Sequence, residues 1–470
     1  MLIFINSNIL TYYGLLVIID SSFRAAARPV LKNSLRGETV EKMAEIKPFR
    51  ALRYTGKAGD ISTLTCPPYD IINEEQRREF LKENPYNVIR LELTKGDSPY
   101  EQAGNDLKSW LSDGILKQDT DEGLYIYEEE FTAYGQTKKV KGFICLVKLE
   151  EFSKGIILPH EETLSKAKED RFNLMKATSC NFSEIYSLYM DEENKTMDRI
   201  NALSSGRPRY EFSDGEVTHR LWLVNDKLAI KAISEDFNGR KLYIADGHHR
   251  YETALNYRNW KREQGIADGS EDYVMMMLVN MENDGLVVFP THRLIHGIEN
   301  FDGNKLLKDC GEYFDVIPRE NVSEIEPNLD ALYKQGKKAF AYYSGEDKWH
   351  LLILKDENIM AKILPGKSEA YRGLDVSVLH SLILEKLLGI DKENMANQTN
   401  LTYTRSFDEA VGTVKSGKAQ CAFILNPTRV TEIRDVATAG EKMPQKSTYF
   451  YPKLITGLTM NLIKTQDKPC

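Results

Sequence analysis

A chain of 470 residues is too long for one ordinary hydrophobic core, so length alone predicts two or three domains. Hydrophobic residues at 41% and charged residues at 28% fit a globular fold in water. The 70 Asp plus Glu outnumber the 62 Lys plus Arg, for a net charge of -8, which excludes nucleic-acid binding through an overall basic face and leaves only a local basic groove.

Residues 1–42 differ from the rest. Residues 10–19 (LTYYGLLVII) form an apolar run too short to span a bilayer. No Lys or Arg precedes it, as a secretory signal requires, although Ala25, Ala26 and Ala27 keep a cleavable signal as a second reading. Met43 opens MAEIKPFRAL like the start of a domain, so the leader reads as disordered or not native. The body reads as cytoplasmic. The six cysteines (Cys66, Cys145, Cys180, Cys310, Cys421 and Cys470) are scattered without a CxxC pair, which predicts free thiols in a reducing compartment.

Asn73, with Gln76 at the capping-box position, predicts a helix ending before Pro85. Residues 88–93 (VIRLEL) predict a strand. Ser98 as cap and Pro99 at the first helical position start a helix with an apolar face of Ala103, Leu107, Trp110 and Leu111. Residues 124–131 and 140–149 flank Tyr134-Gly135 and predict an antiparallel hairpin. Residues 221–224, 242–245, 273–279 and 286–289 read as further strands with helices between them. The predicted class is therefore α+β, a mixed sheet with helices. A second α/β region begins near Asn300. It contains a helix around Leu306, strands at 339–343 and 350–354, a helix at 376–388 and a last strand at 421–425. No linker marks the division into a core at 43–299 and a C-terminal region at 300–470 packing on it.

The densest chemistry lies in residues 243–255, YIADGHHRYETAL. Gly247 frees the backbone to turn sharply after a strand, and the next residues open a helix whose unpaired N–H groups favour an anion. Such a turn is a phosphate cradle in principle. Arg250 adds a planar fork suited to phosphate, and His248 or His249 adds a ring donor. Asp246 fits two roles, holding a metal ion or orienting a histidine. A plainer reading makes Asp246 a helix cap and the histidines scaffolding. Residues 159–182 form a second patch, with His160, Glu161 and Glu162 before a potential Ser165 cap and Lys166, Lys168, Asp170, Arg171 and Lys176 after it. The charges from 166 onward fit a solvated amphipathic helix with Phe172, Leu174 and Met175 turned inward, or a substrate pocket using His160, Lys168 and Arg171. Glu161 or Glu162, in the loop beside Pro159, suits a general base.

Three other motifs stand out. Pro67-Pro68-Tyr69-Asp70 is a rigid turn that either places Tyr69 and Asp70 at a pocket or serves as scaffold. Thr291, His292 and Arg293 follow Pro290 and suit a phosphate or carboxylate contact. Lys446, Ser447 and Thr448, with Lys453, match the end of a phosphate-binding loop without its glycines, so they pack back on the first region or line its cleft.

The segments PPYDII (67–72), NPYNVIRLEL (84–93), HEETLSKAKEDR (160–171), ADGHHRYETAL (245–255), FPTHRLI (289–295), LDVSVLH (374–380) and MPQKSTYFYPK (443–453) stand in one characteristic order. From Ile46 to Lys453 the chain resembles the bacterial domain-of-unknown-function family 1015. Its DGHHR turn is similar to the second box of the ParB/sulfiredoxin superfamily, which implies a nucleotide-binding core of that type. Sulfiredoxins carry a cysteine where His248 stands, so sulfinic-acid reduction is not implied. The turn resembles that of free-serine kinases most. That resemblance implies ATP or ADP with Mg²⁺, and Gly247, His248, His249 and Arg250 on the phosphates. It also implies Asp246 assisting the metal or the hydroxyl, and Glu161 or Glu162 deprotonating the acceptor. The expected function is nucleotide-dependent phosphotransfer to a small hydroxylated metabolite, serine first. The alternatives are a ParB-like nucleotide switch or nucleic-acid-associated protein without kinase activity, and a hydrolase of phosphate esters or nucleotides.

Overall fold

The computed structural model describes residues 43–163, 165–345 and 348–463, with Ser165 and Lys166 described by backbone only. The leader at 1–42, the Ser165 cap, the Lys166 side chain and Cys470 therefore lie outside the described residues. The fold is mixed α+β, built on two sheets. In chain order the strands of the larger sheet are β1 (Ile46–Lys47), β2 (Leu124–Ala133), β3 (Gln136–Lys148), β4 (Ile157–Leu158), β5 (Ile185–Tyr189), β6 (Tyr210–Ser213), β7 (Val217–Val224), β8 (Leu242–Asp246) and β9 (Tyr273–Asn280). Across the sheet they run β4-β8-β5-β9-β3-β2-β7-β6, with β1 on β3. The β4–β8 and β5–β9 pairs are parallel and the others antiparallel, so the sheet is mixed.

The hairpin of β2 and β3 closes through Tyr134 (φ 52°) and Gly135 (φ 69°), two left-handed residues whose twist suits a tight hairpin. Strand β9 is buried along nearly its whole length, as a central strand covered on both faces must be. The second sheet holds β10 (His292–Ile295), β11 (Phe314–Arg319), β12 (Ala339–Tyr343), β13 (Trp349–Leu354), β14 (Leu401–Thr404) and β15 (Cys421–Ile424), ordered β11-β13-β12-β15-β10-β14 and antiparallel throughout. One apolar cluster joins the sheets, running from Tyr127, Met275 and Met277 to Phe340, Leu382 and Phe423. The chain then returns: Phe450–Tyr451 pairs with Val287–Val288, and Asn461–Leu462 pairs with Cys180–Asn181. No helix among the described residues is long and apolar enough to cross a membrane.

Helix α1 (Glu74–Glu83) carries the expected capping box, with Asn73 accepting from Glu75 and Gln76 and the Gln76 side chain accepting from the Asn73 N–H. Residues 88–93 do not form a strand. They hold a single helical turn, α2 (Ile89–Glu92), whose Ile89 and Leu91 are buried along with the preceding Val88. A short apolar run does not distinguish strand from helix. The buried Asn87 decides it, donating to Thr63 O and Thr65 O while accepting from Ile89 N–H. Helix α3 (Pro99–Ser112) buries Ala103, Leu107 and Trp110, but Ser98 makes no side-chain cap, Pro99 having already removed one N–H. The helix expected at 376–388 is an α-turn at Asp375–Val378 followed by wider π winding at Leu379–Leu387, which a 3.6-residue periodicity cannot signal. The strand expected at 286–289 is shortened to Val287–Val288, with Phe289 N–H still donating to Tyr449 O, because Leu286 N–H closes a turn onto Asn283 O. Helix α4 (Ser165–Thr178) buries Leu174 and Met175 as expected.

Glu129 on β2 is wholly buried, with one oxygen facing the Tyr127 hydroxyl at 3.1 Å and the other without a hydrogen-bond partner. Burial pushes its carboxyl up to about 8, and Glu184 adds to the rise. The folded state thus keeps a proton that the unfolded chain releases near its ordinary value of 4.5. Stability is full below that value and is lost as pH climbs through the folded value. Glu184 and Asp375, both raised to about 7, act in the same direction. Glu129→Gln, which mimics the protonated group, is expected to leave Tm nearly unchanged at about pH 5 and to raise it at about pH 9. Parallel Tm-against-pH curves for the two proteins would refute this account.

Candidate functional site

Strand β8 ends in a bulge between Ile244 and Asp246, and the chain turns at Gly247 (φ 90°) into α5 (His248–Glu263). The backbone itself calls for glycine at 247. Its φ is left-handed, and a Cβ there would lie 2.9 Å from Arg250 Nε and 3.0 Å from its Cζ. Arg250 folds back over the glycine, donating to Glu184 O and, at 3.0 Å, to Asp246 Oδ2. Lys453 Nζ donates to Asp246 Oδ1 at 2.7 Å. Burial alone would raise Asp246, but Lys453 and Arg250 outweigh it and hold the carboxyl at about 2. Asp246 is no helix cap, since the N-cap is Gly247 without a side-chain bond.

The two buried histidines interlock. His160 Nδ1 lies 2.7 Å from Ile244 O, which only accepts, so the ring proton sits on Nδ1 and Nε2 takes the Thr448 hydroxyl at 3.0 Å. His160 N–H donates to His248 Nε2 at 3.2 Å, which places the His248 proton on Nδ1, 3.8 Å from Glu161 Oε2. Burial pushes His160 down to about 4 and His248 well below its ordinary range, so both rings are neutral. A third of the Glu161 side-chain surface remains exposed, yet burial raises its carboxyl against the lowering influence of Lys446.

Of these, Glu161, Asp246, Gly247, His248, Arg250, Thr448 and Lys453 line a cavity of about 360 Å³. One wall is Tyr69, Asp70 and Ile71; another is Thr291, Gln398, Tyr403, Thr404 and Arg405; and Lys446, Thr448, Tyr449 and Lys453 close it. The Tyr449 ring carries the Arg405 guanidinium at 3.9 Å and the Lys453 ammonium at 4.4 Å. Arg250, Arg405, Lys446 and Lys453 thus face Asp70, Glu161 and Asp246. With Asp246 engaged by two of the cations, the remaining positive charge suits an anionic ligand at the start of a 16-residue helix.

The cavity gathers Tyr69, Asp70, Glu161, Asp246, Gly247, His248, His249, Arg250, Lys446 and Thr448 from the sequence-predicted residues. The rest lie elsewhere. Glu162 is exposed outside it. His160 stands behind Thr448. Lys168 donates to Glu252 at 2.7 Å, while Arg171 pairs with Asp170 and Glu92 beneath the Tyr69 ring. His292 is buried, accepting from Leu425 N–H. Arg293 donates to Thr291 O, Lys446 O and His380 Nε2, and the buried Ser447 donates to Pro444 O. Sequence reasoning missed Gln398, Tyr403, Thr404 and Arg405, which come from the region around edge strand β14 and carry no motif.

Asp246 is the residue expected to assist a metal. Both its oxygens are taken by cations, and no group of three His, Cys, Asp or Glu among the described residues could hold a metal ion.

Among solved structures, the chain is similar to a free serine kinase in complex with AMP, at 14% identity and TM-score 0.36, covering 68% of this chain and 92% of that one. A free serine kinase in complex with ADP gives the same figures. SbnI with C-terminal truncation, from Staphylococcus aureus, is 12% identical with TM-score 0.35, covering 69% of this chain and 90% of that one. Comparison with curated proteins gives no match. The family model described as "Protein of unknown function (DUF1015)" matches residues 46–377, so the chain belongs to that family.

Proposed function

We propose that the protein is a nucleotide-dependent phosphotransferase acting on a small hydroxylated metabolite, with free serine as the first acceptor to test. The observation that carries this reading is the juxtaposition of a phosphate cradle and a base in one cavity. The start of α5, with Arg250, Lys446 and Lys453, supplies the cradle, and Glu161 supplies the base. Phosphoryl transfer asks mainly for positioning and charge neutralisation, which fixed cations and helix N–H groups provide. Glu161 takes the acceptor's hydroxyl proton, and its raised pKa makes it a stronger base than an ordinary carboxylate. The neutral His248 presents its Nδ1–H toward that carboxylate.

The test uses ATP, ADP and AMP, supplied with Mg²⁺, in a thermal-shift titration of the full chain, then serine with mass spectrometry for phosphoserine. At about a hundred times Kd, a ligand of the native state stabilises it by about 2.7 kcal/mol, which is a plain rise in Tm. A rise with ATP or ADP followed by phosphoserine supports the proposal. Absence of any shift overturns it, and release of free phosphate alone moves the assignment to a hydrolase.

A further inference from the structure

Thr448 sits on a turn fixed at several points. Arg293 donates to Lys446 O at 3.1 Å, Thr428 Oγ1 donates to Ser447 O at 2.7 Å, and Met443 N–H donates to His160 O at 2.7 Å. Thr448 lines the cavity, and its hydroxyl proton is committed to His160 Nε2 at 3.0 Å. That nitrogen is bare because Nδ1 donates to Ile244 O at 2.7 Å. With its proton so committed, Thr448 Oγ1 has only lone pairs to offer a ligand in a cavity walled by Arg250, Lys446 and Lys453. A hydroxyl in this state cannot donate to an anion. It is held as a nucleophile, with a base in reach and a third group orienting the base.

We propose that Thr448 is itself a phosphoryl acceptor, taking the terminal phosphoryl group of a nucleoside triphosphate bound in this cavity. The proposal rests on the nucleotide reading above. In the step, Thr448 Oγ1 forms a bond to the terminal phosphorus, and the bond from that phosphorus to the bridging oxygen breaks. The nucleoside diphosphate leaves with that electron pair, and the hydroxyl proton passes to His160 Nε2. No oxidant or reductant is involved. The product is a phosphothreonine ester whose charge lies among the cavity's cations.

The experiment incubates the full chain with Mg²⁺ and ATP radiolabelled in its terminal phosphate, maps the label by peptide mass spectrometry and follows the ADP-induced thermal shift on the same preparations. The expected result is up to one phosphoryl group per chain, on Thr448. Thr448→Ser should carry the label as phosphoserine, and Thr448→Val should lose it while keeping a cooperative melting transition. Label that persists in Thr448→Val overturns the assignment. A wild-type chain that shifts with ADP and phosphorylates free serine, yet stays unlabelled, overturns this proposal alone. No shift and no label overturn the nucleotide reading together with it.

Discussion

Glu161→Gln is expected to lower turnover about a hundred-fold or more while leaving nucleotide affinity within about two-fold, the pattern of a lost general base. Glu161 shares the cavity with the cationic cradle, but its carboxylate faces His248 Nδ1 and the Lys446 backbone N–H. The amide is nearly isosteric and keeps one acceptor oxygen, and a melting curve checks that the fold survives. Glu162→Gln is the matched control, being exposed outside the cavity. The rate should also fall as pH drops through the raised pKa of Glu161, because only the deprotonated carboxylate accepts a proton. Full turnover in Glu161→Gln would remove this residue from the chemistry.

Arg250→Ala should weaken ATP or ADP binding by about ten- to a hundred-fold, since one charge-assisted phosphate contact contributes about 1.5 to 3 kcal/mol. A second loss accompanies it. Arg250 also donates to Glu184 O and Asp246, so its removal leaves a carbonyl and a carboxylate short of a donor and lowers Tm. Arg250→Lys separates the two effects, because it keeps the charge and loses the planar fork. It should recover much of the affinity and little of the Tm. Isothermal titration with ADP reads the affinity, and unchanged binding in Arg250→Ala would end the phosphate-cradle reading.

Local signals made half of this site readable from the chain. Asp246, Gly247 and Arg250 sit within five residues of one another, and a glycine between a strand and a basic helix start has few reasons to exist beyond its φ. The hairpin of β2 and β3 and the Asn73 capping box are equally local and formed as read. What stayed hidden depends on distant partners. Arg405 reads as one more surface cation until Tyr449 stacks on it. Arg293 looked like a ligand contact because sequence does not reveal that its donors are spent on Thr291 O, Lys446 O and His380. Residues 88–93 failed as a strand for the same reason, since Asn87 reaches back to Thr63 and Thr65.

The ion pair that completes the cavity joins Asp246 to Lys453 across 207 residues of chain, and His160 meets Thr448 across 288. Contacts of such sequence separation are costly in loop entropy and slow to form, so they are among the last to close during folding. During vectorial synthesis, β8 and the start of α5 emerge long before the segment that caps them. Until that segment docks, Asp246 and the cationic helix start stand open on a partly assembled sheet, a species prone to association with other nascent chains. The cavity is therefore a late product of folding, and binding competence should lag behind the recovery of secondary structure on refolding.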